Sequence, residues 1–248
     1  MKKTEVAKAE NKNNLPATID FAADAGAGLE HADQQSMAIP FLAVLQALSP
    51  QLESVDGAKQ GMIIDTISNE LFTEVEVVPC GYKRSYLRWA DRESGGGFKG
   101  EYSALDIETG KVEGLGRSPD GRLTLEGDTL SDTRTHYVLY KDKIGAWKPA
   151  VISMASTQIK KSKRWMTLIQ GKELRRADGT PFTPPSFAYV YKFTTQKEEN
   201  AKGKWYGWSV IDSCQIEDAE LYARAKALHQ QVGAGEVQVQ QPDGQDEF

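Results

Sequence analysis

Apolar and polar residues change their rhythm several times along this chain. Residues 1–36 carry few large apolar side chains among Ala, Asn, Asp, Glu and Gly. That is too little to offset the entropy of ordering, so a disordered acidic N-terminal extension is expected there. In "SMAIPFLAVLQALSP" Ser36 can cap, Pro40 suits a first turn, and Phe41, Val44, Leu45 and Leu48 recur at helical spacing before Pro50. This predicts a short helix docked on the core. From Gly61 the period becomes two. "MIIDTI" and "LFTEVEVVPCGYKRSYLRW" flank the polar turn "SNE", and Glu74 and Glu76 alternate with Val75 and Val77, as in a half-buried strand. So long a strand must bend, and Pro79 and Gly81 are where it can kink or bulge.

"GGGFKGEYSALDI" and "RTHYVLYK" continue the strands, separated by "TGKVEGLGRSPDGRLTLEGD", a hairpin or a long loop. "STQIKKSKRWMTLIQGKEL" predicts a helix with a Ser/Thr start, Ile159, Met166 and Ile169 near helical spacing, and Gly171 at its end. Two strands follow, "FAYVYKFTT" and "KWYGWSVIDS", joined by the polar loop "QKEENAKG". A last helix, "EDAELYARAKALHQQV", places Leu221, Ala225 and Leu228 on one side. Strands, one interrupting helix, two more strands and a peripheral helix predict a mainly β fold with peripheral helices. The expected architecture is a small Greek-key barrel like the OB-fold, with a β-sandwich as the alternative. The expected domain spans residues 37–231, and residues 232–248 form a flexible acidic tail.

Charge sharpens this reading because it is unevenly spread. The chain has a formal net charge of -5, yet Lys141 to Arg176 holds ten basic residues against two acids. An acidic protein of this kind can still present a positive surface to a polyanion. Cys80 and Cys214 stand far apart with no metal-ligand spacing around them, which points to a reducing compartment and to no zinc site. The longest apolar run, Ala38 to Leu48, is shorter than a bilayer span, and no signal-peptide pattern follows the basic start. A cytoplasmic protein with no membrane partner is expected.

Catalytic patterns are missing: no phosphate-binding loop, dinucleotide fingerprint, nucleophile elbow or paired metal histidines. His31, His136 and His229 fall in unrelated segments. No enzyme, cofactor or metal is therefore expected. The strongest chemical pattern is "GYKRSYLRW", where Tyr82, Arg84, Tyr86 and Arg88 share one face of a strand and Lys83 and Trp89 project from the other. Alternating rings and cations suit single-stranded nucleic acid, whose unpaired bases stack while cations follow the phosphates. A barrel strand with core aromatics is the competing interpretation. Phe187, Tyr189, Tyr191 and Phe193 share a face too apolar to be left in water, so they are assigned to the core. Trp205 faces one way and Tyr206 and Trp208 the other; one face packs and the other binds, and both tryptophans are candidates. Lys160, Lys161, Lys163 and Arg164 supply the densest positive charge.

The tail "PDGQDEF" places Phe248 and its carboxylate behind Asp243, Asp246 and Glu247. With the OB-like strand order and the segments "AIPFLAVLQALSP" and "VEVVPCGYKRSYLRW", it resembles the single-stranded DNA-binding proteins of bacteria and, more closely, of bacteriophages. The resemblance implies a barrel that holds the strand and a tail, similar to a docking peptide, that recruits replication or recombination enzymes. The expected function is sequence-independent protection of single-stranded DNA in replication, recombination and repair. A homo-oligomer is compatible with it, and a phage protein would work in the host cytoplasm. A structural or assembly protein of the virion or a scaffold, with no nucleic-acid binding, is the alternative.

Overall fold

The computed structural model describes residues 20–32, 37–91, 96–201, 203–237 and 239. The chain divides into two units, Met1–Met37 and Ala38–Phe248. In the first, residues 20–32 wind through consecutive turns with every side chain exposed. Asp20 opens them by accepting from the amides of Ala22 and Ala23. The rest of the expected extension, residues 1–19 and 33–36, lies outside the described residues.

The second unit runs β1 (Leu42–Val44), α1 (Gln51–Ser54), β2 (Ile63–Asp65), β3 (Leu71–Phe72), β4 (Glu74–Trp89), β5 (Phe98–Ser103) and α2 (Ala104–Glu108). It continues through β6 (Leu115–Arg117), β7 (Leu123–Leu125), β8 (Asp128–Lys141), β9 (Trp147–Ala155), α3 (Ile159–Gln170), β10 (Leu174–Arg175) and β11 (Pro181–Phe182). The last elements are β12 (Tyr189–Asn200), β13 (Gly203–Gln215) and α4 (Ala219–Gly233). The fold is mainly β, as expected: a curled antiparallel sheet forming a half-barrel, with few helices.

Two long central strands make the curl. In the order β13-β12-β4-β8-β7-β6, β4 pairs with β12 through Glu74–Val77 and with β5 through Ser85–Trp89, so one edge changes partner along its length. The change is possible because β4 breaks register against β8 between Pro79 and Gly81, the expected bend. Proline offers no amide to a ladder. A Cβ at Gly81 would stand 2.7 Å from Cγ1 of Val232, too close for any other residue without a shift of α4. Ser186 Oγ donates to the Pro79 carbonyl at 2.9 Å, satisfying the acceptor at the break.

Side-chain alternation then fills both faces. Val75, Val77, Val138, Tyr140, Ile152 and Met154 join Leu42, Ile63 and Phe72, with Trp165 and Ile169 of α3 and Tyr191, Phe193 and Trp208 closing that core. On the opposite face Val78, Cys80, Leu139 and Val151 are covered by Leu221, Ala225 and Leu228 of α4, the stripe expected from sequence. Val237 and Val239, beyond the boundary expected at residue 231, pack against this second core. A third cluster, Ile107, Leu125 and Leu130 with Tyr86 and Tyr102, fills the far end of β4 and β8. Both cysteines are free, Cys80 buried and Cys214 exposed.

Three expectations need correction, and one strand has no counterpart in the sequence reading. The helix expected over residues 38–48 is an extended chain containing β1, with Phe41 bridged to Val151 and Leu42–Val44 paired to β2. Phe41 enters the second core and Leu42 the first; adjacent residues pointing to opposite faces is a strand's geometry, and tertiary packing overrides the helical spacing. The expected cap Ser36 lies outside the described residues. "WKPAVISMA", not assigned from sequence, is β9, paired along its length with β8 and bridged on its other side only at Val151, by Phe41; Pro149 is tolerated because that side of the strand is otherwise an edge. The polar "QKEENAKG" is mostly ladder, with Asn200 opposite Gly203 and Glu198 opposite Trp205. Ala104–Glu108 is helical because Ser103 caps it, its side chain accepting from the amide of Leu105.

Candidate nucleic-acid interface

The basic-aromatic alternation of β4 survives in the fold, but its cations meet acids. Lys83 pairs with Glu101 at 2.7 Å, and Arg84 with Glu108 at 2.5 Å and Asp132 at 3.5 Å. Arg88 pairs with Glu126 at 2.9 Å and Asp128 at 2.5 Å. The Tyr102 hydroxyl and these two carboxylates hold its guanidinium pKa above the usual value. Tyr86 packs into the third cluster, and Trp89 meets Phe98 edge-on at 5.6 Å. Tyr82 is 42% exposed, its ring 5.1 Å from that of His136. β4 therefore carries a largely self-neutralised ladder, because β5, α2 and β8 bring carboxylates beside it.

Helix α3 is different. It turns Ser162, Trp165 and Ile169 inward, with Ser162 Oγ 2.8 Å from Nε2 of the buried His136 and the Trp165 ring 4.6 Å from the imidazole. At 100° per residue the opposite face falls to Lys160, Lys163 and Arg164, all exposed. Among the described residues these three make no ion pair. Lys161, on the flank, pairs with Glu198 of β12.

Glu198 leads to the cavities. Its carboxylate accepts the Trp205 Nε1–H at 3.1 Å across the β12–β13 hairpin. Burial raises its pKa, but the Lys161 ammonium, the Gln196 amide and the field of Lys160 outweigh that and leave it below the usual carboxylate range. Trp205, Ser156 and Thr157 line two adjoining cavities. One, of about 320 Å³, is also walled by Gln46, Trp89, Tyr206 and Trp208. The other, of about 560 Å³, is walled by Arg122, Asn200 and Lys204. Ser156 has a φ of 48°, a left-handed conformation rarely adopted by a residue other than glycine.

The aromatic wall is fixed by its backbone. The Gln46 amide brackets Tyr206, donating to its carbonyl at 2.8 Å and accepting from its N–H at 2.9 Å. Gln158 Oε1 accepts from the Trp208 N–H at 3.0 Å. A Cβ at Gly207 would come within 2.9 Å of the Gln158 amide, so a larger residue there would push the Gln158 amide aside.

Of the residues singled out in the sequence, Trp89, Trp205 and Trp208 come together at one cavity, with Lys161 tied in through its ion pair to Glu198. Trp208 needs correction as a binding ring: it is 3% exposed and meets Phe193 edge-on at 5.7 Å, because its face of β13 closes the first core. Tyr82, Lys83, Arg84, Tyr86 and Arg88 are engaged elsewhere. Asp243, Asp246, Glu247 and Phe248 lie outside the described residues. Sequence reasoning missed Gln46, Gln158 and Glu198. Glu198 sits in the segment expected to be a loop, and had the period-two ladder been seen there, its place opposite Trp205 would have followed.

Among the described residues no group of three or more His, Cys, Asp or Glu is placed to hold a metal ion. No helix among them is long and apolar enough to cross a membrane. The family described as Pam3 phage gp34-like protein matches residues 8–238. No curated protein matches the chain, and no solved structure matches it.

Proposed function

The chain belongs to the Pam3 phage gp34-like protein family, and on that footing we propose that it binds single-stranded DNA without regard to sequence, protecting transient strands during phage replication, recombination or repair inside the host cell. The observation that carries this reading is the position of Trp205, at the shared wall of two cavities and next to a helix whose exposed cations have no carboxylate partner among the described residues. A cavity of about 320 Å³ is at the small end of ligand sites, which run from about 300 to 1,000 Å³. It suits a base turned out of its stack, and a duplex offers none. The phosphates then follow Lys160, Lys163 and Arg164. The acidic tail with Phe248 is proposed, from sequence, to dock replication or recombination proteins by its ring and terminal carboxylate.

Titration of a fluorescent oligo-dT at several salt concentrations tests the proposal. Saturable binding is expected, with log K falling by about 0.7 per phosphate contacted for each tenfold rise in salt. A flat dependence or a preference for duplex would refute it. Absence of binding together with large stable assemblies in sedimentation would favour a structural protein instead.

A further inference from the structure

Glu198 is an odd residue to find beside a proposed path for phosphates. Its side chain is 11% exposed, and each of its oxygens has separate work. Oε2 accepts the Trp205 indole N–H at 3.1 Å. Oε1 accepts from the Gln196 amide at 2.9 Å and pairs with Lys161. The two residues stand directly opposite in the hairpin, so the hydrogen bond lies across the ladder and fixes the indole about its own side-chain torsions. Glycine at 207 makes room, since a Cβ there would meet Cδ of Glu198 at 3.2 Å.

We propose that Glu198 is a positioning residue that sets Trp205 as the base-stacking platform of the site and, through the same carboxylate, holds Lys161 back from the nucleic acid. This rests on the single-stranded DNA reading above. An indole free to rotate must be ordered when a base stacks on it, and that entropy is subtracted from the stack. An indole already held by an acceptor does not incur it. The carboxylate's charge, which would repel phosphate, is cancelled by Lys161, with the consequence that Lys161 is not available as a phosphate ligand.

Two substitutions at this position separate the roles. Glu198→Gln keeps an acceptor oxygen for the indole and releases Lys161. Glu198→Ala releases both. Because each removes the same charge, both are expected to steepen the salt slope of oligo-dT binding equally, by about 0.7 for the one freed cation. Their affinities are expected to diverge, Glu198→Ala binding more weakly than Glu198→Gln by up to the worth of one stack, about 5- to 150-fold. Trp205→Ala is expected to lose as much relative to the wild type. Without DNA, the Trp205 indole N–H resonance, identified by its loss in Trp205→Phe, is expected to shift more in Glu198→Ala than in Glu198→Gln.

Oligo-dT binding by the wild type with equal affinity for the two Glu198 variants, or with no loss in Trp205→Ala, overturns this inference and leaves the functional reading standing. No binding by any variant overturns the functional reading and takes the stacking role with it. Thermal melts of each variant keep a loss of fold from being counted as either result.

Discussion

Replacing the three α3 cations that make no ion pair among the described residues tests whether that helix face meets a polyanion, as proposed. Lys160, Lys163 and Arg164 are exposed and outside the inward stripe of Ser162, Trp165 and Ile169. The triple variant Lys160→Gln, Lys163→Gln, Arg164→Gln should therefore fold with a stability change of only about 0.5 kcal/mol per site. If all three touch phosphates, the slope of log K against log salt falls in magnitude by about 2, at about 0.7 per contact. Between about 50 and about 200 mM salt, a fourfold rise, the wild type should then lose about 16-fold more affinity than the triple variant. The control is Arg84→Gln. Its guanidinium is engaged by Glu108 and Asp132, so removing it should leave the slope nearly unchanged. Fluorescence anisotropy of labelled oligo-dT across a salt series gives both numbers. An unchanged slope in the triple variant together with a reduced one in Arg84→Gln would refute the reasoning and return the interface to β4.

Two further outcomes test the core beneath the site. Burial, with Arg134 nearby, pulls the pKa of His136 from 6.5 down to about 3. The unfolded chain therefore takes up a proton that the folded one refuses, and stability should be full above about pH 6.5 and fall as pH drops, by up to about 1.4 kcal/mol per pH unit. Urea unfolding between pH 8 and pH 4 should show that slope reduced by one proton in His136→Gln; identical slopes would mean that the imidazole is charged in the fold. At Gly61, where φ is 82° and a Cβ would meet the Tyr206 ring at 2.5 Å, substitution by alanine should cost at least the roughly 1–3 kcal/mol of a strained left-handed residue. The urea midpoint measures it, and an unchanged midpoint sinks the claim.

What was legible in the sequence was what neighbours in the chain decide. The bend of β4 follows from Pro79 and Gly81, two residues apart. The buried stripe of α4 follows from Leu221, Ala225 and Leu228 on one face, and Asp218 caps that helix by accepting from Glu220 and Leu221 amides. The apolar spacing of residues 38–48 fits a helix, whereas Phe41 and Leu42 are shared between two cores that no local pattern announces. For the site, the period of two gave the correct faces of β4 without giving what lies against them. The carboxylates that answer Arg84 and Arg88 come from α2, the β7–β8 turn and β8. Trp205 and Trp208 were equivalent as letters. The fold separates them, because one borders two cavities and the other closes the core.

The net charge of -5 then has little bearing on whether the chain can hold a polyanion. At physiological ionic strength a phosphate senses charges within about 8 Å, the screening length, and the rest of the protein is nearly silent. What matters is how the acids are spent locally. Glu101, Glu108, Glu126, Asp128 and Asp132 are bound up with the cations of β4, and those pairs cancel at the distance of a bound strand. Against α3 the structure places Glu198, already matched by Lys161, so among the described residues a phosphate arriving there would meet Lys160, Lys163 and Arg164 with no ion pair to break. An ion pair on β4 would have to be broken first, at a cost of up to about 1 kcal/mol for each exposed pair. The exposed face of α3 is therefore a place where cations stand without ion pairs among the described residues, and it lies beside Trp205, which opens onto both cavities.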